Sequence, residues 1–325
     1  MFMTHNQVVV GSSLAPMIQY IWVLGATGYV GKHVVLELLD RFQGDPMVQI
    51  VAVGNQSIDV EVMERTHFLM MPLGEIGPKW LERYPPSILF HCARMAGSSS
   101  SARNRAAKLG EKSNRKLKIA LESLPKPPIV VYCSGTLMYG NSTKPIFEDT
   151  AENPIAYARA YERAERPWKE GSKKLDIRIA YPAWIFGEGS WFEAFYAKPG
   201  IIDGTTHIID DGNAVMNLVH VEDVAGQLVH IATHGLPSER YNIYGNSEIT
   251  QGQFAAYVAQ CLRSEIITLP EAALVKRFGR TVTEALTSSI VLGTKHQEWK
   301  DSYTLKRPDW ETMVDETCAA YLRKS

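Results

Sequence analysis

The sequence lacks several features that would indicate a membrane, a secretory or a nucleic-acid-binding protein. No apolar stretch approaches the roughly 20 residues that a membrane-spanning helix requires, and the first 16 residues lack the basic start and apolar core of a signal peptide. The 34 Lys and Arg side chains nearly balance the 35 Asp and Glu, so no charge excess favours nucleic acid or an anionic membrane as partner. We therefore expect a cytoplasmic protein that binds a small-molecule substrate, with residues 1–16 as a flexible N-terminal extension.

The sequence is also poor in motifs for metal binding, disulfide formation and hydrolysis. Its four cysteines show no CxxC pair and are typical of reduced thiols. The GxSxG and HExxH motifs of common hydrolases are missing. His230 and His234 have a spacing that could bind a metal, but no acidic or cysteine partner accompanies them, and histidines are favourable at the carboxyl end of a helix. We predict no metal site.

Short apolar runs alternate with helical patterns through the first half of the chain. The runs that predict buried strands are 18–24, 47–54, 67–71, 87–93, 128–134 and 176–182. Helices are predicted at 32–42 and 114–124, and a further helix is expected to carry Tyr157 and Tyr161. This alternation predicts an α/β fold with a Rossmann-like, doubly wound parallel sheet.

The second half has shorter apolar runs and more turn residues, and it predicts a second, smaller unit. We expect a dinucleotide-binding domain at 17–184, with further core elements around 216–240, and a C-terminal substrate-binding lobe formed by 185–215 and 240–325. One helix of this half is expected to begin at Thr250, which has capping-box spacing to Gln253. The serine-rich segment 95–103 follows the fourth strand and is predicted to be a flexible loop, a candidate lid.

The segment GATGYVG, between the first strand and the first helix, is a candidate for binding a dinucleotide. Its Gly25, Gly28 and Gly31 recur every three residues, and such glycines let the backbone approach a pyrophosphate at a helix start. A tight turn without a ligand is the alternative, but the position at the first βα turn of a parallel sheet favours the cofactor. After the second strand, Asn55 could bind the ribose, and neither an acid nor a base selects between NAD and NADP.

Five segments together resemble the extended short-chain dehydrogenase/reductase superfamily, in the branch of nucleotide-sugar epimerases and dehydratases. They are VLGATGYVG, ILFHCA, VYCSGTLMYG, YPAWIFGEG and NLVHVEDVA, and the resemblance spans roughly residues 18–260. It implies an NAD(P)-dependent enzyme and a possible homodimer. The cofactor residues that it implies are Gly25, Thr27, Gly28, Tyr29, Val30 and Gly31 at the pyrophosphate, Cys92, Ala93 and Arg94 along the cofactor, and Pro182 and Ile185 at the nicotinamide end.

The catalytic signature of that superfamily is only partly present. It combines a tyrosine with a lysine four residues later; here Tyr157 is the tyrosine, and Tyr161 occupies the lysine position. A phenol without a neighbouring cation has a pKa of about 10 and is a proton donor rather than a base at neutral pH. The site therefore suits the reduction of a carbonyl or a polarised alkene, and Arg94 or Arg159 could supply the missing positive charge.

The signature also includes a serine or threonine after the fifth strand. Gly135 falls at this position, between Ser134 and Thr136. Either neighbouring hydroxyl could take over the role, because a displacement of one residue is easily absorbed in a loop. Tyr157, Ser134, Thr136 and Tyr161 are the candidate catalytic residues.

Aromatic side chains are concentrated after the sixth strand. They are Trp184, Phe186, Trp191, Phe192, Phe195 and Tyr196. Met216 stands where nucleotide-sugar enzymes of the superfamily usually carry an arginine, which favours an apolar or aromatic substrate bound by Trp184, Trp191 and Met216. The aromatic residues could equally form a core between the two lobes.

The sequence as a whole predicts an NAD(P)H-dependent reductase for a small, apolar or aromatic carbonyl or conjugated compound, with Tyr157 as the proton donor. Two alternatives belong to other classes. One is a non-redox isomerase, dehydratase or cyclase on the same fold, and the other is a non-catalytic NAD(P)-binding regulatory protein.

Overall fold

The computed structural model describes residues 18–95, 97 and 99–324. The predicted extension at 1–16 lies outside these residues. The strands are β1 Gln19–Leu24, β2 Val48–Gly54, β3 His67–Met70, β4 Pro86–His91, β5 Ile129–Cys133, β6 Ser142–Ile146, β7 Asp176–Pro182, β8 Trp184–Phe186, β9 Thr205–Ile209, β10 Val215–His220, β11 Arg240–Ile243, β12 Glu248–Thr250, β13 Glu265–Leu269 and β14 Ile290–Leu292. The helices are α1 Tyr29–Arg41, α2 Val60–Glu64, α3 Pro78–Arg83, α4 Ser100–Glu122, α5 Ala156–Lys169, α6 Val221–His234, α7 Gln251–Leu262, α8 Glu271–Phe278, α9 Arg280–Thr287, α10 Gln297–Asp301 and α11 Trp310–Leu322.

Seven strands form one parallel sheet in the order β11-β7-β5-β4-β1-β2-β3. The central strand β1 is fully buried over its last three residues because helices cover both faces of the sheet. The strand order reverses between β1 and β4, where the connections lead to opposite sides and leave a crevice at the carboxyl ends of the strands. The predicted Rossmann-like fold is confirmed.

Helix α4 shows where the sequence-based prediction was wrong. The segment 95–103 was expected to be a loop and the helix to begin at 114, but α4 begins at Ser100, and the Ser99 hydroxyl accepts a hydrogen bond from the Ala102 amide at 3.2 Å as its N-cap. Residues Ala96 and Ser98 of the proposed lid lie outside the described residues. Although α4 has 23 residues, none of the described helices is both long and apolar enough to cross a membrane.

Close packing joins α4 to α5. A Cβ atom on Gly110 would lie 3.0 Å from the Ala164 Cβ, so a larger residue at this point would separate the helices. Asn114 of α4 donates to the Ala164 carbonyl at 2.8 Å and contacts the His91 ring at 2.8 Å. Burial lowers the pKa of His91 to about 4, so its ring is neutral and connects β4 to α4.

The second half of the chain forms a separate apolar core around β8, α7 and α11. Phe186, Phe192 and Phe254 are fully buried in it. The predicted capping box begins α7: the Thr250 hydroxyl accepts from the Gln253 amide at 3.2 Å, and the Gln253 side chain accepts from the Thr250 amide at 2.9 Å. The smaller lobe was expected to resume at residue 240. Strand β11, which begins there, instead pairs with β7 and belongs to the large sheet.

Candidate active site

The turn from β1 into α1 is closed too tightly for side chains. Gly25 has a φ of +80°, and a Cβ atom there would lie 2.8 Å from the backbone of Ala93. A Cβ atom on Gly31 would overlap the Gly25 carbonyl oxygen. Glycine at these positions therefore brings the start of α1 close to the ends of β1 and β4.

The start of α1 has the chemistry of an anion-binding site. Gly28 is the N-cap and offers no side-chain acceptor, and the first turn of α1 contains no acidic residue. The first amide groups of a helix have no intrahelical acceptor, and the helix dipole places partial positive charge there. Tyr29, Val30 and Gly31 form this first turn, which fits a diphosphate.

The ends of the neighbouring strands surround this turn. The Thr27 side chain packs closely on Gly54, the last residue of β2, and Asn55 follows as an exposed, neutral residue. On the other side, the Cys92 amide donates to the Leu24 carbonyl at 2.9 Å, and Ala93 abuts Gly25. These residues suit a pyridine dinucleotide that lies across the switch point of the sheet.

A cavity of about 550 Å³ opens beside the glycine turn. It brings together many of the candidate residues from different elements. These are Tyr29, Arg94, Ser134, Thr136, Tyr157, Tyr161, Pro182, Trp184, Ile185 and Trp191. Further apolar side chains of its lining include Leu137, Phe195 and Leu286. The volume is within the range of ordinary small-molecule sites.

Met216 is not among the residues that line this cavity, which corrects its predicted role in substrate binding. The side chain is 4% exposed and packs in the core formed by β8, α7 and α11. Strand β10, which carries Met216, is the middle strand of a three-stranded sheet between β8 and β12. This middle position places Met216 in the core.

The two tyrosines of α5 lie on one helical face, as their spacing predicts. Their ring centroids are 5.8 Å apart at an angle of 61°. Tyr161, at the lysine position, is only 4% exposed. Its burial and the adjacent Tyr157 raise the pKa of Tyr161, which keeps this phenol neutral.

Arg94 supplies a positive charge at these tyrosines. Its Nη2 atom donates to the Tyr157 hydroxyl at 3.5 Å, and its guanidinium carbon lies 4.5 Å from the ring centroid of Tyr161. Arg159, the other cation considered from sequence, instead donates to the Pro154 carbonyl at 2.7 Å.

The two hydroxyls that flank Gly135 already have protein partners. Ser134 Oγ donates to Glu165 Oε2 at 2.6 Å. Thr136 Oγ1 donates to the Pro182 carbonyl at the longer distance of 3.3 Å, and Thr136 is buried. Gly135, between them, has no hydroxyl. Ser134 or Thr136 can offer a hydroxyl to a substrate only by giving up its present hydrogen bond.

Residues 21–243 match a family model described as the NAD dependent epimerase/dehydratase family. The chain belongs to that family. No curated protein sequence matches this chain.

Solved structures of epimerase/dehydratase proteins share the fold. A dTDP-glucose 4,6-dehydratase from Bacillus anthracis, in complex with NAD, has a TM-score of 0.75 at 15% identity over 94% of this chain and 97% of that one. A UDP-glucose 4-epimerase from Thermotoga maritima, with UDP-glucose, has a TM-score of 0.75 at 21% identity, over 94% of this chain and 99% of that one. A human epimerase family protein with NADPH has a TM-score of 0.73 at 16% identity, over 93% of this chain and 99% of that one. At such identities the likeness shows the fold.

This member of the epimerase/dehydratase family also contains a largely buried charged network that the sequence patterns above did not predict. Lys169 Nζ lies 2.8 Å from Glu165 Oε2 and 2.7 Å from Glu152 Oε1, and the Tyr181 hydroxyl donates to Glu152 at 2.6 Å. Tyr157, Tyr161, Glu165 and Lys169 follow one another every four residues of α5. That Glu-to-Lys spacing in AYARAYERAERPWK was the available signal.

We predict that Gly28→Ala weakens the binding of NADH and NADPH by about tenfold, because a methyl group at the N-cap of α1 occupies space that a diphosphate would need. Its Cβ atom would be 3.2 Å from the Gly25 carbonyl oxygen, a contact that a small shift relieves. Titration of nucleotide fluorescence measures the effect. Gly77→Ala, at the N-cap of α3 with no contact closer than 3.9 Å, is the matched control. Wild-type affinity in G28A would contradict the assignment.

We also predict that Lys169→Met lowers the free energy of unfolding by about 3 kcal/mol, because two largely buried carboxylates then lose their counter-charge. The Lys169 side chain is 12% exposed, whereas that of Glu165 is 7% exposed. Urea denaturation followed by circular dichroism measures the change. Lys173→Met, at an exposed position after α5, should change stability by less than about 0.5 kcal/mol, and equal effects of both variants would refute the network's role.

Proposed function

We propose that this protein is an NAD(P)H-dependent reductase of a small apolar or aromatic carbonyl or conjugated compound. The observation that carries the proposal is the Arg94 guanidinium at the Tyr157 hydroxyl, inside a largely apolar cavity beside the glycine turn. Membership of the epimerase/dehydratase family supports the use of NAD(P), and the structural neighbours include complexes with NAD and with NADPH.

The residues of the glycine turn would hold the dinucleotide. The amides of Tyr29, Val30 and Gly31 would bind its diphosphate, and Pro182 and Ile185, which line the cavity, would border its nicotinamide end. When bound, NAD(P)H supplies the hydride.

Tyr157 donates the proton that the reduced oxygen of the substrate requires. Arg94 stabilises the phenolate that remains, because a positive charge and a donated hydrogen bond both favour the charged form of an acid. The guanidinium thus supplies the positive charge beside the tyrosine that the lysine supplies in the family pattern. The neutral Tyr161 supports the Arg94 guanidinium through its ring face, 4.5 Å away.

Thr136 is the better candidate to orient the substrate's oxygen. Its hydroxyl gives a 3.3 Å bond to a carbonyl, which it can exchange for one to the substrate. Ser134 is held by the carboxylate of Glu165 at 2.6 Å, a charge-assisted bond that is harder to replace.

The lining of the cavity supports an apolar substrate. Trp184 and Trp191 face each other edge to face with centroids 5.0 Å apart, and Phe195, Leu137 and Leu286 extend this surface. Aromatic and aliphatic walls with few polar groups select apolar ligands and orient them by shape.

A non-redox isomerase or dehydratase is a second candidate, favoured by one observation. The Glu165 carboxylate also lines the cavity and accepts a hydrogen bond from the Ser134 hydroxyl. A carboxylate in such a position can take part in proton transfer. An enzyme of this class would convert its substrate without net consumption of NAD(P)H.

We predict that Tyr157→Phe lowers kcat at least about 100-fold, because it removes the proton donor, and leaves NAD(P)H binding unchanged. The measurement is NAD(P)H absorbance with a panel of aryl ketones, aryl aldehydes and conjugated enones. Tyr257→Phe, which removes a hydroxyl that donates to Asp315 outside the cavity, is the control. Wild-type turnover in Y157F removes Tyr157 from the reaction, and no NAD(P)H consumption with any compound in the wild type contradicts the reductase.

A hydroxyl restored at the family position should increase turnover. Gly135 has extended backbone geometry, and a Cβ atom there would meet only the Pro182 carbonyl oxygen, at 4.0 Å. We expect Gly135→Ser to raise kcat by about tenfold through one added donor to the developing oxyanion. Gly135→Ala fills the same space without the hydroxyl, so a G135S enzyme no faster than G135A would contradict this role.

A further inference from the structure

We propose that the ligand of this cavity carries a carboxylate, which Arg94 binds, next to its apolar body. The substrate class then narrows from apolar carbonyl compounds to apolar oxo or unsaturated acids. This inference rests on the proposed function only in taking the cavity as the substrate site.

Arg94 has more donors than the described part of the chain uses. A guanidinium has five N–H groups in a planar fork. The hydrogen bond from Arg94 to Tyr157 is long, at 3.5 Å, and its other contacts are the ring faces of Tyr161 and Tyr157, at 4.5 and 5.8 Å. Within residues 18–95, 97 and 99–324, no carboxylate forms an ion pair with Arg94. Its N–H groups are thus largely available to a ligand.

The charges at this cavity are unequal in sign. The Glu165 carboxylate lines it, but Lys169 at 2.8 Å and the Ser134 hydroxyl at 2.6 Å already satisfy that group. Arg94 therefore remains as a positive charge without a carboxylate partner among the described residues. It is exposed to solvent, and the mostly apolar lining of the cavity around it strengthens its attraction for an anionic ligand.

The geometry of Arg94 suits a planar anion. The guanidinium carbon lies over the Tyr161 ring, 4.5 Å from its centroid, and the N–H groups of a guanidinium point outward along the edge of its plane. Carboxylates bind such an edge through two parallel hydrogen bonds. The aromatic walls of Trp184 and Trp191 in the same cavity then accommodate the apolar part.

The dinucleotide's diphosphate is a second source of the same anionic chemistry. Arg94 follows Ala93, which abuts Gly25 in the glycine turn. Its guanidinium, however, lies at Tyr157 and Tyr161 on α5, whereas the diphosphate fits the start of α1. We assign Arg94 to the substrate, and the experiment has a separate arm for the cofactor.

The test uses trans-cinnamate and trans-cinnamamide, which share an apolar body and differ in charge. Binding to the wild-type protein is followed by tryptophan fluorescence, since Trp184 and Trp191 line the cavity. We expect cinnamate to bind about tenfold more tightly than the amide and Arg94→Gln to abolish this preference without weakening the amide. Arg105→Gln, exposed on α4, is the control. Arg94→Lys keeps the charge without the fork and should retain part of the preference.

The second arm measures NADH and NADPH affinity of the same variants by nucleotide fluorescence. A nucleotide affinity of R94Q within about twofold of wild type supports the assignment of Arg94 to the substrate. A tenfold loss of nucleotide affinity in R94Q, in a protein whose wild type shows no preference for cinnamate, assigns Arg94 to the cofactor and overturns the proposal. Equal affinity of the wild type for acid and amide, or an acid preference that persists in R94Q and R94K alike, also overturns it. Reduction of neutral carbonyl compounds alongside such a failure would leave the proposed function intact. A cinnamate preference in a protein that consumes no NAD(P)H would defeat the reductase instead.

Discussion

The contact of Gly25 with the backbone of Ala93 is the constraint on which the site depends. A side chain at residue 25 would push the end of β4 away from the turn between β1 and α1. Because the two backbones touch, the residue after Ala93 leaves the sheet at a fixed point, and this residue is Arg94. Its side chain then reaches the hydroxyl of Tyr157 on α5, 63 residues later in the sequence. One glycine thus determines both the room for a diphosphate and the position of the cation.

The loss of the family's lysine is balanced by a rearrangement of charge around α5. Every fourth residue of one face is Tyr157, Tyr161, Glu165 and Lys169. The lysine at 169 is two turns beyond the expected position, where Glu152 and Glu165 neutralise it. It therefore stabilises the packing of α5 rather than acting on a ligand. Arg94 contacts the two tyrosines instead, and a guanidinium keeps its charge at all physiological pH values.

The sequence contained enough information for the fold and for part of the site. The six predicted strands correspond to β1 to β5 and β7 with ends that differ by at most two residues, because buried parallel strands have continuous apolar runs. The glycine turn and the Thr250–Gln253 capping box were likewise predictable, since both depend on neighbouring residues. Helix α4 was recognised only from 114 onward. Its first half is rich in Ser, Arg and Lys and is positioned by a cap at Ser99 and by the close contact of Gly110 with Ala164.

The misjudged parts of the site depend on contacts between distant residues. Arg94 and Arg159 were equivalent in sequence, and only the fold turns Arg159 to the Pro154 carbonyl and Arg94 to the tyrosines. Met216 has an apolar side chain of the kind that lines pockets, but the pairing of β10 with β8 and β12 buries it in a second core. Glu165 was overlooked because its hydrogen-bond partner Ser134 comes from another element.

Under the proposed function, the pairing of Tyr157 with a permanent cation would serve both directions of the reaction. Reduction would use the proton of Tyr157 and leave a phenolate, which Arg94 at 3.5 Å would stabilise. Oxidation of an alcohol would start from that same phenolate, so Arg94 would assist it as the lysine does in the family pattern, whereas Tyr161, a buried phenol whose pKa is raised, supplies no charge. Glu165 accepts a hydrogen bond from Ser134 and forms an ion pair with Lys169. The residues that depart from the family pattern would therefore change which group stabilises the charge on Tyr157, and the supply of reduced or oxidised cofactor would set the direction.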